Sequence, residues 1–282
     1  MISVVIVQHM RGDLTVRAIT TLQEHTACPH EIIVVDNASP DDSADRVARE
    51  CRNVELLRLT TNAGFGAANN AGVRAAKAEL LLLLNNDTES IEDPLTPVAA
   101  RFEADLTLGV LGPRLVNPDR SFQLSAGALP SVLGEMSDKL LYNAVDRNLP
   151  GARAMAAASF KRERRVGWVT GAALFIRRSL FDAIGGFDER FFMYFEDKDL
   201  CARAIAAGAT VRYCPTPTIV HLRGGSSTAG RSAHLQRAYR ESQALFYRKH
   251  RPAIEQALLQ LYLKVRPLPS YAGTSPQSRD AP

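Results

Sequence analysis

Near its start this chain repeats one pairing: a short, largely apolar run, then a segment with helical spacing. The runs are Ser3–Val7, Glu31–Val35, Val54–Leu59 and Leu80–Leu84. Between them lie Asp13–Thr26, Asp42–Cys51 and Ala68–Ala78, the first with Leu14, Ala18 and Leu22 at helical intervals behind an expected Asp13 cap. A strand that is apolar along nearly its whole length needs cover on both faces, and intervening helices supply it. The pattern predicts an α/β domain with a mostly parallel central sheet flanked by helices.

Beyond residue 105 the rhythm loosens, and 117–165 reads as loop-rich. Order returns at Trp168-Val169-Thr170-Gly171, with a strand expected over Ala172–Ile176 and a short helix over Ser179–Ile184. The aromatic run Phe191–Phe195 leads into an expected helix from Glu196 to Ala207, stopped by Gly208. A last strand is expected over Val211–Tyr213, followed by His221 and Arg223-Gly224-Gly225-Ser226-Ser227.

Composition excludes several classes. With 46% hydrophobic and 23% charged residues the 282-residue chain is globular. Its apolar runs are far shorter than the ~20 residues of a membrane span. No Lys or Arg precedes Val4–Val7, so no secretory leader is expected. Cys28, Cys51, Cys201 and Cys214 form no CxxC pair and are too sparse for a disulfide framework, which points to a reduced, cytoplasmic protein. The net charge of +4 comes from one segment: Arg231 to Arg266 holds eight basic residues against Glu241 and Glu255. This is read as a basic C-terminal helical extension over 229–266, with 267–282 expected to be disordered. Its aromatic and aliphatic residues, among them Leu235, Tyr239, Phe246, Leu258, Leu259 and Tyr262, suit a helix packed on the domain. Its basic residues also suit contact with an anionic membrane.

In open parallel sheets ligands lie beyond the carboxyl ends of the strands. Asp36 follows the second strand and Asn85-Asn86-Asp87 the fourth. A lone Asp there is commonly a turn former or cap, and two at equivalent ends shift the reading toward a site; Asp87 suits a Mg²⁺ or Mn²⁺ ion sharing diphosphate oxygens. Asn62-Ala63-Gly64-Phe65-Gly66-Ala67-Ala68-Asn69-Asn70 is a Gly-rich entry to a helix that permits close backbone approach to a nucleotide. It matches neither GxxxxGK[ST] nor GxGxxG. Glu196-Asp197 reads as a helix cap or as a general base in a partly apolar wall. His221 is a structural histidine or a further metal ligand.

Taken in order, SVVIV, VVDNAS, NAGFGAANNAG, LLLLNND, WVTGAALFIRR, GGFDERFFMYFEDKDL and HLRGGSS resemble the family 2 glycosyltransferases of GT-A fold, most nearly their bacterial rhamnosyltransferase-like members. The resemblance covers about residues 2–228 and implies a catalytic domain over 1–228. It implies inverting transfer of a sugar, rhamnose being expected, from a nucleoside diphosphate donor (dTDP-rhamnose or a UDP-sugar). The acceptor would be a saccharide or lipid-linked, in cell-surface polysaccharide synthesis. By that resemblance Asp36, Asn62, Gly64, Phe65, Asn69 and Asn86 serve the donor nucleotide. Asp87 and His221 hold Mg²⁺ or Mn²⁺, and Asp197 is the base with Glu196 second to it. Trp168, Thr170 and Gly171 border the donor sugar and acceptor. Two departures stand out: Gln8-His9 replaces the Asn-Tyr usual after the first strand, and the metal motif has a single carboxylate. No nucleic-acid partner is expected; peripheral contact with the inner face of the plasma membrane and a homodimer stay open. The rival readings are a sugar-phosphate nucleotidyltransferase and a non-catalytic sugar-nucleotide-binding module.

Overall fold

The structure is a computed structural model and describes residues 1–135, 151, 158, 160–222 and 233–265. Its centre is a nine-stranded sheet. Four parallel strands form one half: β1 (Ile2–Gln8), β2 (His30–Asp36), β3 (Val54–Arg58) and β4 (Leu80–Asn85), in spatial order β3-β2-β1-β4. β1 is buried at every position, as its sequence requires. Val5, Val7, Ile33, Val35, Leu81 and Leu83 point to one side of the sheet; Val4, Ile6, Ile32, Val34, Leu82 and Leu84 point to the other. Each side chain of this size stabilises the fold by about 1.5–3 kcal/mol when buried. Helix α3 (Phe65–Ala75) covers the first side through Ala68 and Val73. Helices α1 (Gly12–His25) and α2 (Ser43–Glu50) cover the second through Ile19, Leu22 and Val47.

The other half of the sheet is mixed. β5 (Thr88–Ser90) and α4 (Thr96–Ala104) lead to β6 (Leu108–Val116), a strand the sequence reading passed over. Gly109, Gly112 and Pro113 interrupt its apolar pattern, yet nearly all of it is buried. After the short strands β7 (Ala126–Gly127), β8 (Arg164–Arg165) and β9 (Trp168–Val169) comes β10 (Ala173–Arg177), inserted antiparallel between β4 and β6. Because β10 runs against β4, its beginning meets the end of β4: the Asn85 amide donates to the Ala172 carbonyl at 2.9 Å. That reversal brings Gly171 to the edge where a ligand belongs. Helices α5 (Arg178–Ala183) and α6 (Glu196–Ala206) follow, then β11 (Thr210–His221). β11 is much longer than the expected Val211–Tyr213. It runs parallel to β6 through an irregularity between Tyr213 and Thr218 and ends on His221.

The start of α1 also departs from expectation. Asp13 is no cap; the capping position belongs to Arg11, in a left-handed conformation, and Asp13 in the first turn takes the Arg11 guanidinium at 2.9 Å. All four cysteines are unpaired.

The C-terminal helices α7 (Ala233–His250) and α8 (Ala253–Val265) pack on the domain. Phe246, Tyr247 and Leu259 form a third apolar cluster with Phe191, Phe195 and Ala202. Part of the basic surplus turns inward: Lys249 Nζ lies 2.6 Å from both Asp188 and Asp199, and Arg251 donates to the Leu129 carbonyl at 3.0 Å. The segments 223–232 and 266–282, with the Arg223–Ser227 motif and the expected tail, lie outside the described residues.

Candidate active site

The site is built along the carboxyl edge of β2, β1 and β4. Asp36 pairs in register with Gln8 on the neighbouring strand. Its carboxylate is buried and accepts Gln8 Nε2 at 2.9 Å and the Ser39 amide at 3.1 Å. The departure Gln8-His9 is thus matched to Asp36: Gln8 fixes the acid, and His9 Nδ1 lies 3.0 Å from the Asn37 carbonyl oxygen. Asn37, which the sequence reading did not single out, moors the Gly-rich loop. It donates to Asn62 Oδ1 at 2.9 Å and to the Gly64 carbonyl at 3.3 Å, and it accepts the Ala63 amide at 2.9 Å. Gly64 has φ 86° and ψ 170°, a conformation essentially confined to glycine. A Cβ there would come within 2.5 Å of the Phe192 carbonyl oxygen, which accepts the Phe65 amide at 3.0 Å. Asn69 is buried within α3 and donates to the Phe65 carbonyl at 2.9 Å, so it braces the first turn of that helix.

The turn after β4 carries the second acid. Asn86 donates to Thr15 Oγ1 at 3.2 Å, anchoring the turn to α1. β5 then pairs antiparallel with β11, His221 opposite Thr88. The Leu222 amide donates to the Asp87 carbonyl at 2.8 Å. This pairing sets His221 Nε2 3.2 Å from Asp87 Oδ1, while His221 Nδ1 lies 3.2 Å from Oε1 of buried Gln123. An imidazole that donates from Nδ1 to Gln123 has its Nε2 lone pair directed at a carboxylate. Two electron-rich atoms facing at that distance need a proton or a cation between them. The donor set, one imidazole nitrogen and one carboxylate, suits a divalent cation that takes its remaining ligands from a substrate. Among the described residues no group of three or more His, Cys, Asp or Glu side chains could hold a metal alone.

The third part is Asp197. Tyr194 and Phe195, immediately before α6, both have left-handed backbones, with φ 69° and 65°. Met10, Arg11 and Ala38 at the ends of β1 and β2 share this conformation. Such positions cost about 1–3 kcal/mol each where surrounding contacts hold them, and they cluster at functional edges. The turn at Phe195 starts α6 so that Asp197 Oδ2 accepts the Gly171 amide at 3.0 Å and Oδ1 accepts its neighbour Lys198's amide at 2.8 Å. A Cβ on Gly171 would lie 3.0 Å from Phe65 Cε1 and 3.7 Å from Asp197 Cβ, so glycine lets Phe65 and the acid close on one another. Burial pushes the Asp197 carboxyl above the ordinary range, partly offset by Lys198 and the two amides. Glu196 is buried, its Oε2 has no hydrogen-bond partner among the described residues, and burial followed by the Asp197 charge pushes its carboxyl up.

Trp168 and Thr170 stand beside these acids. Strand β9 pairs with β7, and the Thr170 amide donates to the Ser125 carbonyl at 2.9 Å. Lys198 Nζ sits 4.9 Å from the centre of the Trp168 ring and 4.2 Å from that of Phe195. Asn70, which closes the Gly-rich segment and has no role of its own in the sequence reading, accepts the Phe187 amide and donates to its carbonyl, both at 2.9 Å, joining α3 to the loop before α6. A buried amide on an apolar helix face was its one signal.

Three groups therefore meet on one edge: the Asp36–Asn37–Gly64 cradle, the Asp87–His221 pair and the Asp197 carboxylate. The fold around them is of GT-A type. The family model "Glycosyl transferase family 2" matches residues 3–184, and "Glycosyl transferase family group 2" matches 145–271. The chain belongs to glycosyl transferase family 2. It is 32% identical over 259 residues to an N-acetylglucosaminyl-diphospho-decaprenol L-rhamnosyltransferase of Mycobacterium tuberculosis, covering 86% of this chain and 82% of that protein. Among solved structures it resembles a mannosyltransferase of Pyrobaculum calidifontis in complex with GDP-Man and Mn²⁺, with a TM-score of 0.60 and 18% identity over 93% of this chain and 68% of that one. It also resembles GalNAc-T7 with UDP, GalNAc and Mn²⁺, with a TM-score of 0.58 and 17% identity over 88% of this chain and 49% of that one.

Proposed function

We propose that this chain is an inverting, cation-assisted glycosyltransferase that moves L-rhamnose from dTDP-rhamnose to a lipid-linked N-acetylglucosaminyl diphosphate in glycan synthesis. The observation that carries the reading is the short path from acid to acid. Asp197 holds the Gly171 amide, the next residue's carbonyl holds Asn85, and Asp87 is two residues further on. A proton acceptor and a pair suited to hold a cation thus flank one edge. The mycobacterial relative's printed name supplies the sugar and the acceptor.

In this reading Asp36, Asn37 and the Asn62–Phe65 loop receive the nucleotide, and Trp168, Thr170 and Gly171 border the sugar. Asp197 takes the proton from the acceptor hydroxyl, whose oxygen bonds to the anomeric carbon as the bond from that carbon to the donor diphosphate breaks, with inversion. The raised proton affinity of Asp197 suits it to that role. The two amides on its oxygens hold it in place, and Glu196 stays behind it as a buried, predominantly protonated neighbour. Asp87 and His221 would hold Mn²⁺ or Mg²⁺, which when bound compensates the charge of the departing diphosphate. The catalytic unit is taken as 1–228 and the helical extension as 229–266.

Family membership weighs against a nucleotidyltransferase, and the intact set of acids weighs against a non-catalytic module. The test is a donor panel of dTDP-rhamnose, UDP-N-acetylglucosamine and UDP-galactose, with Mn²⁺, against short-chain polyprenyl diphosphate N-acetylglucosamine. Rhamnose transfer to that acceptor is expected; transfer only from a UDP-sugar would overturn the donor assignment.

A further inference from the structure

The last described helix is apolar on two sides. On the inner side of α8, Leu259 is buried and Leu263 packs on the third cluster. On the outer side Ile254, Leu258, Leu261 and Val265, at intervals of four, three and four residues, are 70%, 47%, 60% and 73% exposed. A helix apolar on both sides is normally covered on both, and this stripe runs the length of a 13-residue helix, about 20 Å.

The charges of the two C-terminal helices indicate what covers the stripe. Of the two acids between residues 231 and 266, Glu255 is turned inward, where its carboxylate accepts the Val132 amide at 3.1 Å. That leaves Glu241 facing solvent, against exposed Arg237, Arg248 and Lys264. A second copy would bring the same cations against each other, with no acid on the outer side of α8 to pair with Lys264, whereas paired helices favour opposite charges beside the seam. An anionic lipid surface complements both features: headgroups meet the cations and the interface takes the apolar stripe.

We propose that the outer face of α8 docks on an anionic bilayer, with Ile254, Leu258, Leu261 and Val265 entering the interface and Arg237, Arg248 and Lys264 lying against the headgroups. This deepens the reading of a lipid-linked acceptor and rests on it for its purpose, since such an acceptor is anchored in that surface. Among the described residues no helix is long and apolar enough to cross a membrane, so the contact is an interfacial one.

The test is co-sedimentation of the full chain with vesicles of equal parts phosphatidylglycerol and phosphatidylcholine, and with phosphatidylcholine alone. Binding to the anionic vesicles is expected, weakened about tenfold or more by L258Q/L261Q and by added NaCl. Both substituted positions are solvent-facing and outside the catalytic edge, so transfer to a detergent-dispersed acceptor should stay at the parental rate. Absence of binding, or binding that L258Q/L261Q leaves unchanged, overturns the proposal. So does a dimer in sedimentation velocity that the double variant splits, which would assign the stripe to a second copy. Vesicle binding without sugar transfer would uphold this surface and remove the proposed reaction.

Discussion

His221 Nε2 lies 3.2 Å from Asp87 Oδ1, with Gln123 Oε1 3.2 Å from the opposite ring nitrogen. Gln123 thus sets which nitrogen faces the acid. If the pair holds a divalent cation, Gln123→Leu frees the ring to rotate and change tautomer. Partners of this kind are worth about 10–100-fold in metal affinity. Calorimetric titration of Mn²⁺ in the presence of dTDP should show that loss, and His221→Ala a larger one. Unchanged Mn²⁺ affinity in His221→Ala would remove the cation from this pair.

Asp197 gives a prediction about rate and pH together. Asp197→Asn keeps the shape and one acceptor oxygen but cannot take a proton, so transfer should fall by about 10²–10⁴-fold in protein that circular dichroism shows to be folded. Burial raises the Asp197 carboxyl above its ordinary 3.8, and in the proposed reaction the deprotonated form is the active one. The parental rate should therefore rise with pH along an acid limb displaced upward from that of a free aspartate. A limb at the ordinary position would mean that another group takes the proton.

Glu196 affects stability rather than rate. Its carboxyl is raised from 4.5 by burial and by Asp197, so the folded state holds this proton more tightly than the unfolded chain does. The stability linked to it is complete below 4.5 and is lost as pH rises through the folded-state value. Glu196→Gln removes the titration. Its melting temperature relative to the parent should be constant in acid and should climb above the parent's as pH rises. A difference that does not vary with pH would show that Glu196 titrates normally.

The half of the fold that was legible in the sequence is the half whose signal is local. β1 and β4 are read from the runs Ser3–Val7 and Leu80–Leu84, and their helices from spacing. β6 was not, because Gly109, Gly112 and Pro113 interrupt a strand whose burial is decided by β10 and β11 on either side. Asp87, Asp197 and His221 stood out as acids and a histidine in a familiar order. Asn37, Asn70 and Gln123 did not, since an amide beside a turn or in a helix is common, and their partners (Ala63, Phe187 and His221) lie far along the chain. The inward turn of Lys249 was equally hidden: basic spacing alone does not tell a solvated face from one that meets a buried aspartate.

That aspartate, Asp199, is fully buried two residues after Asp197 on α6, and it binds α7 to α6. Arg203 Nε donates to it at 2.8 Å, Lys249 Nζ lies at 2.6 Å and His250 Nε2 at 2.7 Å. Burial alone would raise its proton affinity, but the hydrogen bonds from His250 and Lys249 and the Arg203 charge outweigh that and hold the carboxyl below its ordinary 3.8. Its contribution is therefore present above that value and is lost as pH falls through the lower folded-state value. Asp199→Asn removes the counter-charge of Arg203 and the acceptor of His250 and leaves Lys249 to Asp188 alone, a change bounded by the about 3–5 kcal/mol that breaking a buried pair costs. Urea unfolding at pH 7 should show a loss of that order, and at acid pH the gap between parent and variant should narrow as the parent's own carboxylate is neutralised. If the loss at pH 7 is small, the C-terminal helices are held by Phe246, Tyr247 and Leu259 alone, and Lys249 is a surface cation in practice. Because Asp197 shares the helix, the variant's residual transfer rate at a temperature where it stays folded measures how far this tie also sets the position of the proposed base.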